Sequence, residues 1–205
     1  MKIGVLGGTF DPVHRGHIMM ADEAMKSLGL SEVILVPAGQ PMSKVKERLT
    51  PAEHRLQMLR LAVAERQHLR VSTMELERPG LSYTVDTITE LGKKYGSKDE
   101  LLFIMGWDSL AQLPHWREPG RIISMCSVVA VPRPGFTRPD LKALEKKIPG
   151  ISKRVVFLEK PRVDISATDI RKKVARGESI DQLVPAPVAE YIKKHKLYQG
   201  QQEVR

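Results

Sequence analysis

The sequence predicts an α/β protein with a doubly wound, mostly parallel sheet and a helical C-terminal part. Two observations carry this prediction. Short apolar runs of strand length alternate along the chain with segments whose apolar residues recur at the spacing of a helix. After residue 158 the strand-like runs stop and only helical segments follow.

Six segments are predicted strands because each is short, apolar and bounded by turn residues. The run at 100–105 is the most apolar, which is typical of a central strand buried on both faces. The predicted strands are residues 2–6, 32–36, 69–74, 100–105, 127–131 and 155–158. Their alternation with helices indicates a Rossmann-like sheet, in which ligands bind beyond the carboxyl ends of the strands.

Helices are predicted where apolar spacing and capping residues agree. Thr50 is predicted as an N-cap, with Pro51 at the first helical position and Glu53 at the third. Gly96 is placed to stop the helix before it. The predicted helices span 18–28, 51–66, 85–95, 109–113, 119–125, 139–147, 169–176 and 188–195.

The composition limits the class of protein. At 205 residues the chain can form one sizeable core, so residues 1–198 are predicted to be a single domain and 199–205 a polar tail. No apolar run approaches the roughly 20 residues that span a bilayer, and the chain starts in a strand rather than a secretion signal. We therefore expect a cytoplasmic protein. The one cysteine, Cys126, excludes an internal disulfide and a multi-cysteine metal site.

The formal net charge of +9 fits an anionic partner, either a nucleotide or a nucleic acid. Aromatic residues make up only 5%, and the basic residues are interspersed with acidic ones. A solvated basic surface is therefore the alternative explanation of the charge.

A glycine-rich turn at 7–17 joins the first predicted strand to the first helix. Adjacent glycines let the backbone approach a ligand closely, and the start of the helix favours an anion. His14 and His17 are three residues apart and share a face of the first helical turn. The turn lacks the features of a Walker A loop and of the dinucleotide fingerprint. Spacing alone leaves a phosphate site and a glycine turn with two surface histidines as alternatives, and it offers no third ligand for zinc, so no metal ligand is predicted.

Residues 165–171, Ile-Ser-Ala-Thr-Asp-Ile-Arg, form a second candidate site. Ser166 or Thr168 can cap a helix in which Arg171 lies one turn in, so these groups can converge on an oxyanion. An ordinary capped helix with a solvent-exposed arginine is the alternative. If the first and fourth strands are neighbours, Gly7 and Gly106 line one crevice.

The turn as a whole resembles the Gly-Gly-Thr-Phe-Asp-Pro-x-His-x-Gly-His signature of the nucleotidyltransferase superfamily that carries a His-x-Gly-His motif. Residues 165–171 resemble the Ile-Ser-x-Thr-x-x-Arg signature of the same superfamily. Two matches at opposite ends of the chain support each other. The resemblance implies that the triphosphate of ATP lies between the two signatures.

The resemblance assigns roles to the residues of both signatures. It implies that His14 and His17 contact the phosphates around the reacting α-phosphorus and that Arg171 acts with them as a catalytic residue. Backbone groups of the first signature and hydroxyl groups of the second complete the implied ATP site: Gly8, Thr9, Phe10, Ser166 and Thr168.

Three segments in the middle of the chain resemble bacterial nicotinate-nucleotide adenylyltransferases. They are residues 82–87 (Ser-Tyr-Thr-Val-Asp-Thr), 106–110 (Gly-Trp-Asp-Ser-Leu) and 113–116 (Leu-Pro-His-Trp). The resemblance implies that Thr84 and Trp116 form a pyridine pocket in which Trp116 stacks on the ring. A core or interface anchor is the alternative for Trp116.

The same resemblance places Gly106, Asp108 and Arg133 near the adenosine and Lys44 near the phosphates. Surface charge is the alternative for Lys44 and Arg133. Two positions depart from the family: residues 41–44 read Pro-Met-Ser-Lys where Pro-Pro-His-Lys is common, and Trp107 replaces a small residue.

The implied activity is transfer of AMP from ATP to nicotinate mononucleotide, giving deamido-NAD and pyrophosphate in NAD biosynthesis. Mg²⁺, held mainly through substrate phosphates, is the expected cofactor. ATP and nicotinate mononucleotide are the expected partners, with no nucleic acid and no membrane, and a homo-oligomer stays open.

Other functions remain as alternatives at this stage. The acceptor could be nicotinamide mononucleotide or phosphopantetheine. A nucleic-acid-binding protein and a nucleotide sensor without turnover are alternatives from other classes. Against a tRNA synthetase, which shares the His-x-Gly-His motif, 205 residues leave no room for an anticodon domain.

Overall fold

The computed structural model of the chain describes residues 1–41, 49–96, 98–162 and 164–199. In these residues six strands form one sheet, and each pairing between neighbouring strands is parallel. The strands are β1 (Lys2–Gly8), β2 (Glu32–Pro37), β3 (Leu69–Val71), β4 (Glu100–Gly106), β5 (Ser127–Val131) and β6 (Val155–Phe157).

The same ranges contain nine α-helices and two 3-10 turns, the latter at Leu113–His115 and Ile151–Lys153. The helices are α1 (Arg15–Leu28), α2 (Ala52–Val63), α3 (Met74–Glu77), α4 (Thr84–Tyr95), α5 (Trp107–Gln112), α6 (Pro119–Met125), α7 (Leu141–Lys147), α8 (Ala167–Ala175) and α9 (Ala186–Lys194). None of the helices in the described ranges is long and apolar enough to cross a membrane.

The strand order is β3-β2-β1-β4-β5-β6, which is the doubly wound order of Rossmann-like proteins. The predicted fold class is therefore confirmed. β1 pairs with both β2 and β4, so the direction of winding reverses between β1 and β4. Chain connections leave this point in opposite directions, and a crevice opens at the carboxyl ends of the two strands.

The sheet is buried on both faces, and β4 shows why its sequence is apolar throughout. Leu102 and Ile104 pack into the layer formed with α1, α2 and α9. Leu101, Phe103 and Met105 point the other way, into the layer formed with α4, α6 and α7. Successive side chains of a strand alternate between faces, so a strand covered on both sides needs apolar residues at every position.

The start of α2 differs from the sequence prediction. Thr50 does not cap the helix: the N-cap position is Pro51, which lacks a side-chain hydrogen bond to the helix. The backbone N–H of Thr50 instead donates to Oδ2 of Asp11 at 3.2 Å, and its carbonyl accepts from Nε of Arg55 at 2.9 Å. Both partners belong to the tertiary structure, which overrides the local capping preference.

Other element boundaries also shift. The strand predicted at 69–74 ends at Val71, because the chain turns into α3 three residues later, at Met74. The predicted stop at Gly96 is confirmed by its φ of 76°. Of the two candidate caps of α8, the structure selects Ser166, whose hydroxyl accepts the N–H of Asp169 at 3.1 Å.

Two glycines give a test of the packing. A Cβ on Gly4 of β1 would lie 2.9 Å from side-chain atoms of both Leu30 and Val33 and 3.1 Å from Ile104. Gly92, inside α4, has nothing within 4 Å of the same position. We expect Gly4→Ala to lower the free energy of unfolding by about 1–3 kcal/mol through overpacking. Gly92→Ala should raise it by roughly 0.5–1 kcal/mol, because alanine restricts the unfolded chain.

Urea denaturation of the two variants beside the parent protein measures both effects. Equal changes of the same sign in the two variants would contradict this account of the sheet.

Candidate active site

A cavity of about 440 Å³ lies at the carboxyl ends of β1 and β4, where the strand order reverses. The sequence analysis placed Gly7 and Gly106 in one crevice, and both line this cavity. Most of the other predicted site residues line it as well: Thr9, Phe10, His14, His17, Asp108, Trp116, Arg133, Ser166, Thr168 and Arg171. The fold therefore brings together residues that are far apart in the chain, such as Asp11 and Arg171, which are 160 positions apart and hydrogen-bonded.

Two predicted site residues in the described part of the chain, Gly8 and Thr84, are not part of the lining. Gly8 precedes the loop, and its carbonyl accepts the N–H of Ala38 at 2.9 Å. A Cβ at Gly8 would lie 3.2 Å from the Phe10 ring, so this glycine makes room for a buried aromatic side chain. Thr84 is the first residue of α4 and does not line the cavity. Lys44 lies outside the described residues.

The paired histidines stand at the N-terminus of α1, with His14 as its N-cap residue. Their rings are stacked, with centroids 3.7 Å apart, and the edge of Phe10 packs against His17 at 4.9 Å. The backbone N–H of His14 donates to Nδ1 of His17 at 3.2 Å. Because Nδ1 accepts this bond, the proton of a neutral His17 sits on Nε2, which makes Nε2 the hydrogen-bond donor.

Burial holds both imidazoles in the neutral form. Burial, assisted by the charge of Arg133, lowers the pKa of His14 to about 4. The pKa of His17 is also well below its ordinary value, through burial first and then through His14 and Arg133. At neutral pH the pair therefore offers N–H donors rather than two positive charges. Nδ1 of His14 is buried and has no partner among the described residues, as expected of a group that serves a ligand.

The far wall of the cavity is built from the ends of β4 and β5. Asp108, in the first turn of α5, accepts a hydrogen bond from Nη1 of Arg133 at 2.7 Å. Its other oxygen, Oδ1, is buried without a partner in the described part of the chain. Any Cβ on Gly106 would clash with that oxygen, so glycine is required for the carboxylate to fold back over the strand end.

Arg171 joins the second signature to the first. Its Nη1 donates to the main-chain carbonyl of Asp11 at 2.7 Å, and its Nη2 donates to Oγ1 of Thr168 at 3.4 Å. The guanidinium thus stands at the start of α8 beside the glycine-rich turn at 7–17, which carries His14 and His17 and is called the histidine turn below. An anion in the cavity would meet N–H donors from two helix starts and the positive charge of Arg171, with Arg133 held by Asp108 on the far wall.

Sequence reasoning missed a set of buried groups that begins at the cavity wall, which Asp11 lines, and continues behind it. Asp11 accepts from the Tyr198 hydroxyl at 2.7 Å as well as from the backbone N–H of Thr50. Arg55 is 2% exposed and donates to main-chain carbonyls, one of them on Thr9. The available signal was an arginine within the apolar stripe of α2, which continues at Met58 and Leu59.

In the described residues no cluster of three or more His, Cys, Asp or Glu side chains is arranged to hold a metal ion. The cavity instead presents N–H donors and guanidinium groups, which suit phosphate oxygens.

A Rossmann-like sheet with paired histidines and a capped arginine helix over one crevice defines the class: a nucleotidyltransferase. The comparisons identify the family. The family model "Cytidylyltransferase-like" matches residues 5–173. The chain belongs to this family and, within it, to the nicotinate-nucleotide adenylyltransferases.

The assignment to the nicotinate-nucleotide adenylyltransferases rests on relatives that bear the name "Probable nicotinate-nucleotide adenylyltransferase". The relative from Dehalococcoides mccartyi strain BAV1 is 46% identical over 198 residues, which cover 97% of each chain. The relative from Thermomicrobium roseum is 43% identical over 96% of this chain and 91% of its own. A third relative, from Roseiflexus, is 44% identical over 96% of this chain and 97% of its own.

Solved structures agree on the fold. Nicotinic acid mononucleotide adenylyltransferase of Plasmodium falciparum, complexed with NaAD, superposes with a TM-score of 0.79. The match covers 96% of this chain and 97% of that one at 20% identity. The same enzyme complexed with APC gives a TM-score of 0.75 at 21% identity.

The neutral state of His14 predicts a pH dependence of stability. Its pKa is about 4 in the folded protein and 6.5 in the unfolded chain, so between these values the unfolded chain binds the proton that the folded one excludes. The free energy of unfolding therefore rises with pH across this window and falls as the medium is acidified. We expect His14 to account for a loss of about 2 kcal/mol between about pH 7 and pH 5.

Urea denaturation at both pH values, with His14→Gln as the comparison, isolates this contribution from that of other groups. The variant should lose less stability on acidification than the parent protein. Identical losses would show that His14 titrates normally.

Proposed function

We propose that the protein transfers AMP from ATP to nicotinate mononucleotide, forming nicotinate adenine dinucleotide (deamido-NAD) and pyrophosphate in NAD biosynthesis. The observation that carries the proposal is the crevice between β1 and β4, where the residues of both signatures meet. The names of the relatives supply the acceptor, because they are nicotinate-nucleotide adenylyltransferases.

In the proposed reaction the histidine turn holds the α-phosphate. Neutral His14 and His17 donate N–H groups, and the start of α1 adds the partial positive charge of its unpaired amides. These donors are fixed by stacking and burial before the substrate arrives. Preorganised donors of this kind stabilise the charge that develops on the transferring phosphoryl group.

The leaving group departs toward α8. Arg171, Thr168 and the cap residue Ser166 would hold the outer phosphates of ATP and then the pyrophosphate. On the other wall, Asp108 would accept a hydrogen bond from a ribose hydroxyl, with Gly106 and Arg133 beside the adenosine. Binding at both ends orients the α-phosphate for attack.

The chemical step is an in-line displacement. A phosphate oxygen of nicotinate mononucleotide forms a bond to the α-phosphorus, and the bond from that phosphorus to the bridging oxygen of the β-phosphate breaks. Pyrophosphate takes the bonding electrons, so no covalent enzyme intermediate is required. Membership of the nucleotidyltransferases points to a divalent metal used with ATP. We propose that it is Mg²⁺, bound through phosphate oxygens and water rather than by a protein carboxylate cage.

The acceptor would bind on the side of Trp116 and Thr84. Trp116 lines the cavity, and its ring forms a T-shaped contact with that of Phe103, with centroids 6.1 Å apart. We propose that the Trp116 ring stacks on the pyridine of the acceptor. Thr84, the first residue of α4, is proposed to complete the pyridine pocket, and Lys44 is proposed to contact phosphate. Two further points stay predictions: that residues 1–198 form a single domain, and that copies of the chain associate into a homo-oligomer.

The first test is pyrophosphate release from ATP and Mg²⁺ with three acceptors offered separately: nicotinate mononucleotide, nicotinamide mononucleotide and phosphopantetheine. We expect release with nicotinate mononucleotide to exceed that with the others. Faster release with either rival would reassign the acceptor, and no release with any of them would reject the proposed reaction.

The second test concerns His17. Replacement by alanine removes one charge-stabilising donor, which typically costs on the order of 10²- to 10³-fold in kcat. The matched control is His68→Ala, because His68 lies away from the cavity and pairs with Asp22 at 3.0 Å. Near-normal turnover of the His17 variant would reject the role.

The third test concerns Trp116. Loss of a stacked ring in Trp116→Ala should raise KM for nicotinate mononucleotide by on the order of 10-fold and leave KM for ATP nearly unchanged. Steady-state kinetics with each substrate varied in turn separates the two constants. An equal rise in both would indicate a general packing role.

A further inference from the structure

A buried guanidinium lies behind the cavity, on α2. Arg55 is 2% exposed, and its donors reach main-chain carbonyls on segments that are distant in sequence. Nε donates to Thr50 at 2.9 Å, Nη1 to Thr9 and to Ala38 at 2.8 Å each, and Nη2 to Gly39 at 3.3 Å. Because a guanidinium is planar and rigid, it fixes the positions of these carbonyls relative to one another.

Two of these carbonyls belong to segments that serve different halves of the proposed reaction, and Thr9 itself lines the cavity. Thr9 is part of the histidine turn, where the phosphates of ATP are proposed to bind. Gly39 follows β2, and its N–H donates to Oγ of Ser82 at 3.0 Å. Ser82 stands two residues before Thr84, at the start of the proposed pyridine pocket. One side chain therefore links the ATP side to the acceptor side through two hydrogen-bonded steps.

Stability alone is a weak explanation for this arginine. Burial lowers the pKa of Arg55, and the nearby Asp11 and Tyr198 raise it, so the charge is only partly compensated. Well-packed apolar residues often replace buried charges with no loss of stability. The neighbouring positions on the stripe, Met58 and Leu59, are apolar and fully buried. What an apolar residue cannot supply at position 55 is a fixed distance between backbone segments.

We propose that Arg55 is a positioning residue for AMP transfer. By holding the carbonyls of Thr9 and Gly39 on one guanidinium, it sets the spacing between the histidine turn and the segment around Gly39 that follows β2. The proposal rests on the proposed function, since that spacing matters for bringing the acceptor phosphate in line with the α-phosphate. A displacement of about 1 Å between reacting groups can cost on the order of 10²-fold in rate.

The test compares Arg55→Lys and Arg55→Met with a control, Met58→Ala. This control weakens the packing of α2 on the core but removes none of the hydrogen bonds that Arg55 makes to the loops. Lysine keeps the positive charge beside Asp11 but cannot donate in the fixed directions of a guanidinium. We expect kcat with nicotinate mononucleotide to fall on the order of 10²-fold in Arg55→Met and at least 10-fold in Arg55→Lys. The Kd of ATP, measured alone by calorimetry, should change less than about 3-fold, because each half of the site is kept.

A readout that needs no turnover accompanies the kinetics. Hydrogen exchange should accelerate in peptides that cover 7–11 and 36–40 in both Arg55 variants, and not in Met58→Ala, when all are compared at equal distances below their Tm. The proposal is overturned if Arg55→Lys keeps the parent kcat, or if Met58→Ala loses as much kcat at an equal drop in Tm. It is also overturned if exchange in the two segments is unchanged.

If the parent protein fails to use nicotinate mononucleotide, the proposed function fails. Hydrogen exchange in 7–11 and 36–40 and the Kd of ATP then still decide whether Arg55 joins these two segments.

Discussion

The site depends on one buried carboxylate, that of Asp11, which is 2% exposed. A buried charge is tolerated only when its oxygens are satisfied. Its partners come from distant parts of the chain: the N–H of Thr50 on one oxygen and the hydroxyl of Tyr198 on the other. The main-chain carbonyl of Asp11 also accepts a hydrogen bond, from Nη1 of Arg171. The cost of burying Asp11 is thus offset only when the C-terminal part has docked on the histidine turn.

The sheet sets the location of this cluster. β1 lies between β2 and β4, so the turn after β1 stands where the winding reverses and connections leave on both sides. The residues that need to meet there come from the ends of β1, β4 and β5 and from the start of α8. Parallel strands place all their carboxyl ends at one edge of the sheet. The architecture therefore gathers the lining of one cavity from separate sections of the chain.

Electrostatics in the cavity differ from those of the whole chain. The protein carries a formal net charge of +9, yet its two cavity histidines are neutral because burial lowers the pKa of each. Positive charge near the site comes from arginines that are themselves held, Arg133 by Asp108 and Arg171 by the Asp11 carbonyl. Directed N–H donors favour a defined phosphate geometry, whereas a general excess of positive charge attracts any anion.

The sequence by itself determined the fold class, the approximate elements and most of the cavity lining, because apolar periodicity and the two signatures are local patterns. It named His14, His17 and Arg171 but not Arg55, and it placed an N-cap at Thr50 where tertiary bonds to Asp11 and Arg55 prevail. It left the choice between Ser166 and Thr168 open. Only the tertiary structure decided these points, because a carbonyl or carboxylate partner many positions away leaves no periodic trace in the chain.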